Sequence, residues 1–117
     1  MRLPRKHSMT QRAEFSRVRK DGRAKAGRFV VLSTLEDPEL PHLMIGIITT
    51  RKVGKAHDRS LIRRRIRAIL QRHGDRLVSK ARYLVTIPRP GSATASFEEL
   101  EKDWLKQARR LELIERA

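Results

Sequence analysis

The sequence of 117 residues contains no cysteine. It can build neither a disulfide framework nor a thiolate metal site, which agrees with a reducing compartment. Aromatic residues make up only 4% of the chain, so the core has to be largely aliphatic. No apolar run approaches the ~20 residues that span a bilayer. The first residues, "MRLPRKHSMTQRAEF", lack the apolar centre of a signal peptide, so a cytoplasmic protein with no membrane partner is expected. His7, His42, His57 and His73 are scattered without ligand spacing, which argues against a zinc site. Acids are scarce, and no acidic pair stands where a two-metal nuclease would hold its ions. Carboxylates distant in sequence remain able to converge in the fold, but the sequence nominates no catalytic residue.

What is abundant is positive charge. The 28 Lys and Arg against 13 Asp and Glu give a net charge of +15, which calls for a polyanionic partner, nucleic acid first. Arginine outnumbers lysine 20 to 8, and a planar guanidinium suits bidentate phosphate contacts better than an ammonium does. The charge is uneven. Residues 1–91 carry 23 basic and 7 acidic side chains, whereas residues 92–117 carry 5 and 6, so the last segment reads as scaffold. The length fits one domain, 1–117, with a modest core.

The pattern predicts six elements. Ser8 and Gln11 have the spacing of a capping box for a helix over residues 9–20, with Phe15 and Val18 on one face and Gly22 as its stop. "RFVVLSTL", residues 28–35, reads as a strand with Phe29, Val31 and Ser33 on one face. After a loop with two prolines, "LMIGIITT", residues 43–50, reads as a second strand, buried on both sides and antiparallel to the first. A helix of about fourteen residues should begin near Asp58 and end at Gly74. "ARYLVTIP", residues 81–88, is a third strand. In the last helix Ser96 and Glu99 have capping-box spacing, while Phe97, Leu100, Trp104, Ala108 and Leu111 form an apolar stripe. The order α-β-β-α-β-α implies an α+β fold, a small two-layer α/β sandwich.

The stretch "TTRKVGKAHDRSLIRRRIRAIL", residues 49–70, carries the functional signal. At about 100° per residue, Ile62, Ile66, Ile69 and Leu70 form one narrow stripe, and Arg63, Arg67 and Arg64 fan out beside it. The isoleucines dock the helix, so the guanidinium groups are held at set positions. Arg51, Lys52 and Lys55 surround a turn at Gly54, where the backbone can approach a phosphate. A solvated helix face ordinarily mixes charge signs, yet Arg59 to Arg72 contains no acid. Something bound should offset the repulsion. "KVGK" lacks the glycine spacing and the Lys-Ser/Thr ending of a nucleotide-binding phosphate loop. Phe15 and Phe29 suit either the core or stacking on unpaired bases, and Tyr83 is equally open.

Taken together, "EFSRVRKDGR", "GRFVVL", "IGIITTRKVGKAHDRSLIRRRIR" and "RYLVTIPRPGSA" resemble the protein component of bacterial ribonuclease P over nearly the whole chain. The family's basic block reads Ser-Lys-Lys-x-Gly-x-Ala-x-x-Arg-Asn-Arg-x-Lys-Arg-x-x-Arg. This chain matches it at Lys52, Gly54, Ala56, Arg59, Arg64 and Arg67, and conservatively at Thr50, Arg51 and Arg63. Ser60 and Leu61 replace the Asn-Arg of its most characteristic motif, Arg65 stands ready to compensate, and Arg19 stands where an aromatic is common.

The resemblance implies a ribosomal-protein-S5-domain-2-like fold with a left-handed βαβ crossover, where sequence rules alone favour the right-handed one. It implies an accessory subunit of an endoribonuclease. The RNA subunit would remove the 5′ leader of precursor tRNA with Mg²⁺ that it holds itself, and no obligatory protein partner is expected. By the same resemblance Arg51, Lys52, Lys55, Arg59, Arg63, Arg64 and Arg67 would face the RNA subunit, and Phe15, Val18, Arg19, Phe29 and Val31 would bind the leader. The alternatives are a general or ribosomal RNA-binding protein without a processing role, and a protein that hydrolyses RNA by itself.

Overall fold

The computed structural model describes residues 3–115. Three helices and four strands follow in the order α1 (Arg12–Asp21), β1 (Arg23–Ala26), β2 (Val30–Glu36), β3 (Met44–Ile47), α2 (Ala56–His73), β4 (Arg82–Pro88) and α3 (Phe97–Arg110). Single 3₁₀ turns lie at Arg5–His7, Gly74–Arg76 and Ser92–Thr94.

The strands form one mixed sheet in the order β1-β2-β4-β3. β2 and β4 pair antiparallel with Leu32 opposite Thr86, and β3 and β4 pair parallel with Ile45 opposite Leu84. The expected neighbours β2 and β3 are therefore separated by β4. The reason lies in burial: six of the seven β4 residues are buried, so this strand takes an inner position. The parallel β3–β4 pair in turn requires a long crossover, which α2 supplies. β3 is an edge strand, with Met44 and Ile47 partly exposed, and not the doubly buried strand its composition implies.

β1 was not foreseen. All four of its residues, "RAKA", are exposed, so it lacks the apolar alternation that marks a strand. It forms because the turn at Gly27 folds it back on β2, with Ala26 opposite Val31.

Helix boundaries also shift. The expected Ser8–Gln11 box does not form, because Ser8 pairs with Ile45 in a parallel bridge. α1 instead starts at Arg12, where the Glu14 carboxylate accepts from the Gln11 N–H at 3.0 Å and the Thr10 N–H at 3.3 Å. α2 runs for 18 residues and begins two positions before Asp58, whose carboxylate reaches back to the Lys55 N–H at 3.0 Å. α3 has the expected cap: Ser96 Oγ accepts from the Glu99 N–H at 3.1 Å, and Glu99 accepts from the Ser96 N–H at 3.0 Å. These bonds to the Ser96 backbone and side chain hold the Glu99 carboxyl below its usual range.

The two faces of the sheet are covered unequally. On one, Ile62, Ile66, Ile69 and Leu70 of α2 and Leu100 and Trp104 of α3 close over Val30, Leu32, Ile45 and Leu84. The Trp104 indole donates to Thr86 Oγ1 at 3.3 Å inside that core. Among the described residues the other face carries α1 as its one α-helix, packed through Val18 against Tyr83 and Val85 with Met9 in the same cluster. A helix of ten residues is about 15 Å long and cannot cover what two longer helices cover opposite. A cleft is left open beside it.

Candidate nucleic-acid interface

The cleft beside α1 has a volume of about 740 Å³. Its floor is Val31, Ser33, Val85 and Ile87 from β2 and β4, and its wall is Phe15, Ser16 and Val18 from α1. Arg12 and Arg19 stand at its margin. Positions 12, 15, 16 and 19 follow the i, i+3, i+4, i+7 spacing of one helix face, so both arginines flank Phe15 on the side facing the opening. An apolar floor, one aromatic ring and two guanidinium groups suit an unpaired nucleotide strand, with bases inward and phosphates at the rim.

Of the five leader residues expected from the sequence, Phe15, Val18, Arg19 and Val31 line this cleft. Phe29 does not. It precedes β2, its N–H donates to Asp103 at 2.8 Å, and it packs at the border of the α2/α3 core with the Arg28 guanidinium 5.0 Å from its ring centroid. The strand starts two residues later than expected, at Val30, which breaks the alternation that would have put Phe29 beside Val31. Arg12, Ser16, Ile48, Val85 and Ile87 were missed. The heptad-like spacing of Arg12 and Arg19 could have revealed the first, whereas the β4 residues needed the sheet order.

α1 is clamped in place from the far side. Arg17 donates to Asp37 at 2.9 Å and lies over the Tyr83 ring, 5.8 Å from its centroid. The Glu39 N–H and then Arg17 hold the Asp37 carboxyl below its usual range. The exposed ion pair contributes little stability by itself, yet it fixes where α1 sits on the sheet.

The second surface is the arginine face of α2 and the turn before it. Val53, 6% exposed, pins the turn to the core, and its N–H donates to Thr50 O at 3.0 Å. Gly54 has φ of 149°, and a β-carbon there would fall 2.6 Å from Asp58 Oδ2, so only glycine fits. Arg51, Lys52 and Lys55 are exposed around it. Arg59 is half-buried and donates to Gly54 O at 3.0 Å, bracing the turn against the helix. Arg63 donates to Thr49 Oγ1 at 2.6 Å and Ser60 Oγ at 3.3 Å, so Ser60 orients the arginine side chain. Arg64 and Arg67 are exposed and have no hydrogen bond or ion pair among the described residues.

Two arginines that the sequence placed in the same basic helix leave this surface. Arg65 donates to Ala95 O at 2.8 Å, which ties α2 to the loop before α3 and prevents the compensating role foreseen for it. Arg72 pairs with Glu101 at 2.8 Å and lies over Phe97, and His73 meets the same carboxylate at 3.0 Å. Part of the repulsion in the acid-free helix is thus offset by α3, not by a ligand. Leu61 is half-buried.

Five of the carboxylates near these surfaces and the core have structural partners. Asp103 accepts from the Phe29 and Val30 N–H groups, and Asp37, Asp58, Glu99 and Glu101 are engaged as described. Among the described residues no group of three or more His, Asp or Glu is placed to hold a metal ion. No helix among the described residues is long and apolar enough to cross a membrane.

Comparison with known proteins agrees with this geometry. The chain is 38% identical over 101 residues to the ribonuclease P protein component of Thermus aquaticus, covering 86% of this chain and 57% of that one. It thus spans little more than half the length of the Thermus relative. It is 31% identical over 103 residues to the ribonuclease P protein component of Syntrophomonas wolfei, covering 88% of this chain and 85% of that one. Among solved structures, the ribonuclease P protein of Staphylococcus aureus superposes with a TM-score of 0.84 at 23% identity over 93% of this chain and 98% of that one. That of Thermotoga maritima gives 0.76 at 24% over 93% and 98%. These two show the shared fold. The family model described as Ribonuclease P matches residues 3–112, and with it the chain belongs to the ribonuclease P protein family.

Proposed function

We propose that this chain is the accessory protein of a ribozyme, binding catalytic RNA on one surface and the single-stranded 5′ leader of precursor tRNA on another. The observation that carries the reading is the meeting of two unlike surfaces at α1 and β3. One is an apolar cleft flanked by Arg12 and Arg19; the other is a rigid arginine face on α2. A general RNA binder needs only the second.

Arg51, Lys52, Lys55, Arg59 and Arg64 supply the RNA-subunit surface, and Arg63 and Arg67 stand where that surface meets the edge of β3. Anchored guanidinium groups lose less freedom on binding than charges on a loose tail, so each phosphate contact keeps more of its strength. Phe15, Val18, Arg19 and Val31 receive the leader. Mg²⁺ held by the RNA subunit would supply the charge neutralisation that phosphodiester hydrolysis needs. This chain's part is to hold the leader and lower the electrostatic repulsion between two RNA molecules.

Cleavage of a precursor tRNA by the cognate ribonuclease P RNA at low Mg²⁺, with and without the protein and with a protein-only control, tests the reading. Cleavage at the 5′ end of the mature tRNA that is restored only in the mixture is the expected result. No stimulation by folded protein would overturn it in favour of the general RNA binder. Cleavage by RNA-free protein would return the catalysis to this chain.

A further inference from the structure

The outer edge of β3 is only half covered. Ser8 bridges Ile45, and the Met9 N–H donates to Ile45 O at 2.8 Å. The chain then turns away into α1 at Arg12. In a parallel ladder the N–H and C=O of every second residue point to the same side. Since Ile45 turns its carbonyl outward to Met9, Ile47 also directs its N–H and C=O to the open edge. The next residue, Ile48, points inward and donates to Thr86 O at 3.0 Å.

A groove of about 460 Å³ lies along this free edge, lined by Ser8, Met9, Phe15, Ile47, Arg63 and Arg67 together with Ile45 and Gly46 of the strand. It contains two arginines and no acid. One of them is already oriented by Thr49 and Ser60, and the other has no partner among the described residues. Phe15 lines both this groove and the cleft, and the strand passes from Ile47 in the groove to Ile48 in the cleft. The two spaces are adjacent compartments divided by one aromatic ring.

We propose that the open edge of β3 is a second nucleotide site, continuing the leader cleft, in which Arg63 and Arg67 hold a phosphate of the substrate strand. The inference rests on the leader-binding reading above, and gives to the leader two arginines that the sequence resemblance assigned to the RNA subunit. A base in the groove contacts Phe15 and Met9 and meets the donor and acceptor of Ile47 as a neighbouring strand would. Charge complementarity and continuity with the cleft favour a nucleotide over a peptide strand.

The test uses holoenzyme assembled from the full chain and the cognate RNA subunit. Dissociation constants are measured for precursor tRNAs whose leaders lengthen one nucleotide at a time, with wild-type protein and with Arg67→Ala. Wild-type affinity should rise in steps, and Arg67→Ala should remove the last step, a loss of about tenfold confined to long leaders. An equal loss at every leader length, or a loss in the affinity of protein for the RNA subunit, overturns the proposal while leaving the leader cleft intact. Absence of any leader-dependent gain with wild-type protein would instead overturn the leader-binding reading.

A thio-substituted uridine at each leader position gives an independent readout. Photocrosslinks from a distal position should map to peptides containing Met9 or Ile47; crosslinks restricted to cleft residues such as Val85 would overturn the site. Concentration-dependent dimerisation abolished by strand-breaking changes at Ile47 would show that a second copy fills the edge, and would likewise overturn it.

Discussion

Phe15 occupies the space that a side chain on Gly46 would need: a β-carbon built on Gly46 falls 2.5 Å from the Phe15 ring. The absence of a side chain on β3 lets α1 lie close to the sheet, and sets the ring at the junction of cleft and groove. Gly46→Ala should push Phe15 outward and weaken leader binding several-fold. The overpacking should lower stability by about 1–3 kcal/mol. Leader-dependent affinity and thermal unfolding measured on the same sample separate the two effects. Unchanged leader binding would show that Phe15 does not shape the site.

Arg19 and Phe29 should part company. Arg19 is exposed at the cleft, so Arg19→Ala should reduce leader affinity with little change in unfolding temperature. Phe29 packs against the opposite core, so Phe29→Ala should cost about 1–3 kcal/mol of stability and leave leader affinity intact at temperatures where the protein is folded. The reverse pattern would mean that the leader runs over the other face.

Salt should act strongly on RNA-subunit binding. If about five to seven phosphates are neutralised, log affinity against log salt should fall with a slope of roughly −4 to −6, by analogy with duplex DNA. Arg64→Ala should make that slope shallower by about one. A nearly flat wild-type dependence would remove the phosphate-contact account of the α2 face.

The α3 cap makes a pH prediction. The Glu99 carboxyl is held below its ordinary value by its bonds to the Ser96 backbone and side chain. A carboxylate with a depressed folded-state pKa stabilises the fold above its unfolded pKa, and that contribution disappears as pH falls through the folded value. The unfolding temperature of Glu99→Gln should therefore lie below wild type at neutral pH and converge with it in acid. A constant difference across the range would assign the loss to packing.

Trp104 tests the scaffold. It is 0% exposed and donates to Thr86 Oγ1. Trp104→Phe removes the donor and leaves the buried Thr86 hydroxyl one partner short, for a loss of about 1–3 kcal/mol. Denaturant unfolding measures it. RNA affinity of the folded variant should be unchanged, since the tryptophan lies on the buried face of α3 and far in sequence from the basic turn.

Local order was legible in the chain itself. The Ile62, Ile66, Ile69 and Leu70 stripe is buried as its spacing implies, the Ser96–Glu99 cap forms, and Arg63, Arg64 and Arg67 are exposed beside the stripe. Helical periodicity and capping are decided by residues three or four apart, so sequence suffices for them. The basic turn at Gly54 was legible for the same reason. Pairing was not. The placement of β4 between β2 and β3, the recruitment of the polar β1 and the withdrawal of Phe29 from the cleft all depend on residues far apart in the chain. So does the pairing of Arg72 and His73 with Glu101. Tertiary packing alone decided that α1 would leave a cleft open on its face of the sheet, because the amount of surface a helix covers depends on the width of the sheet it meets, and no local pattern records that width.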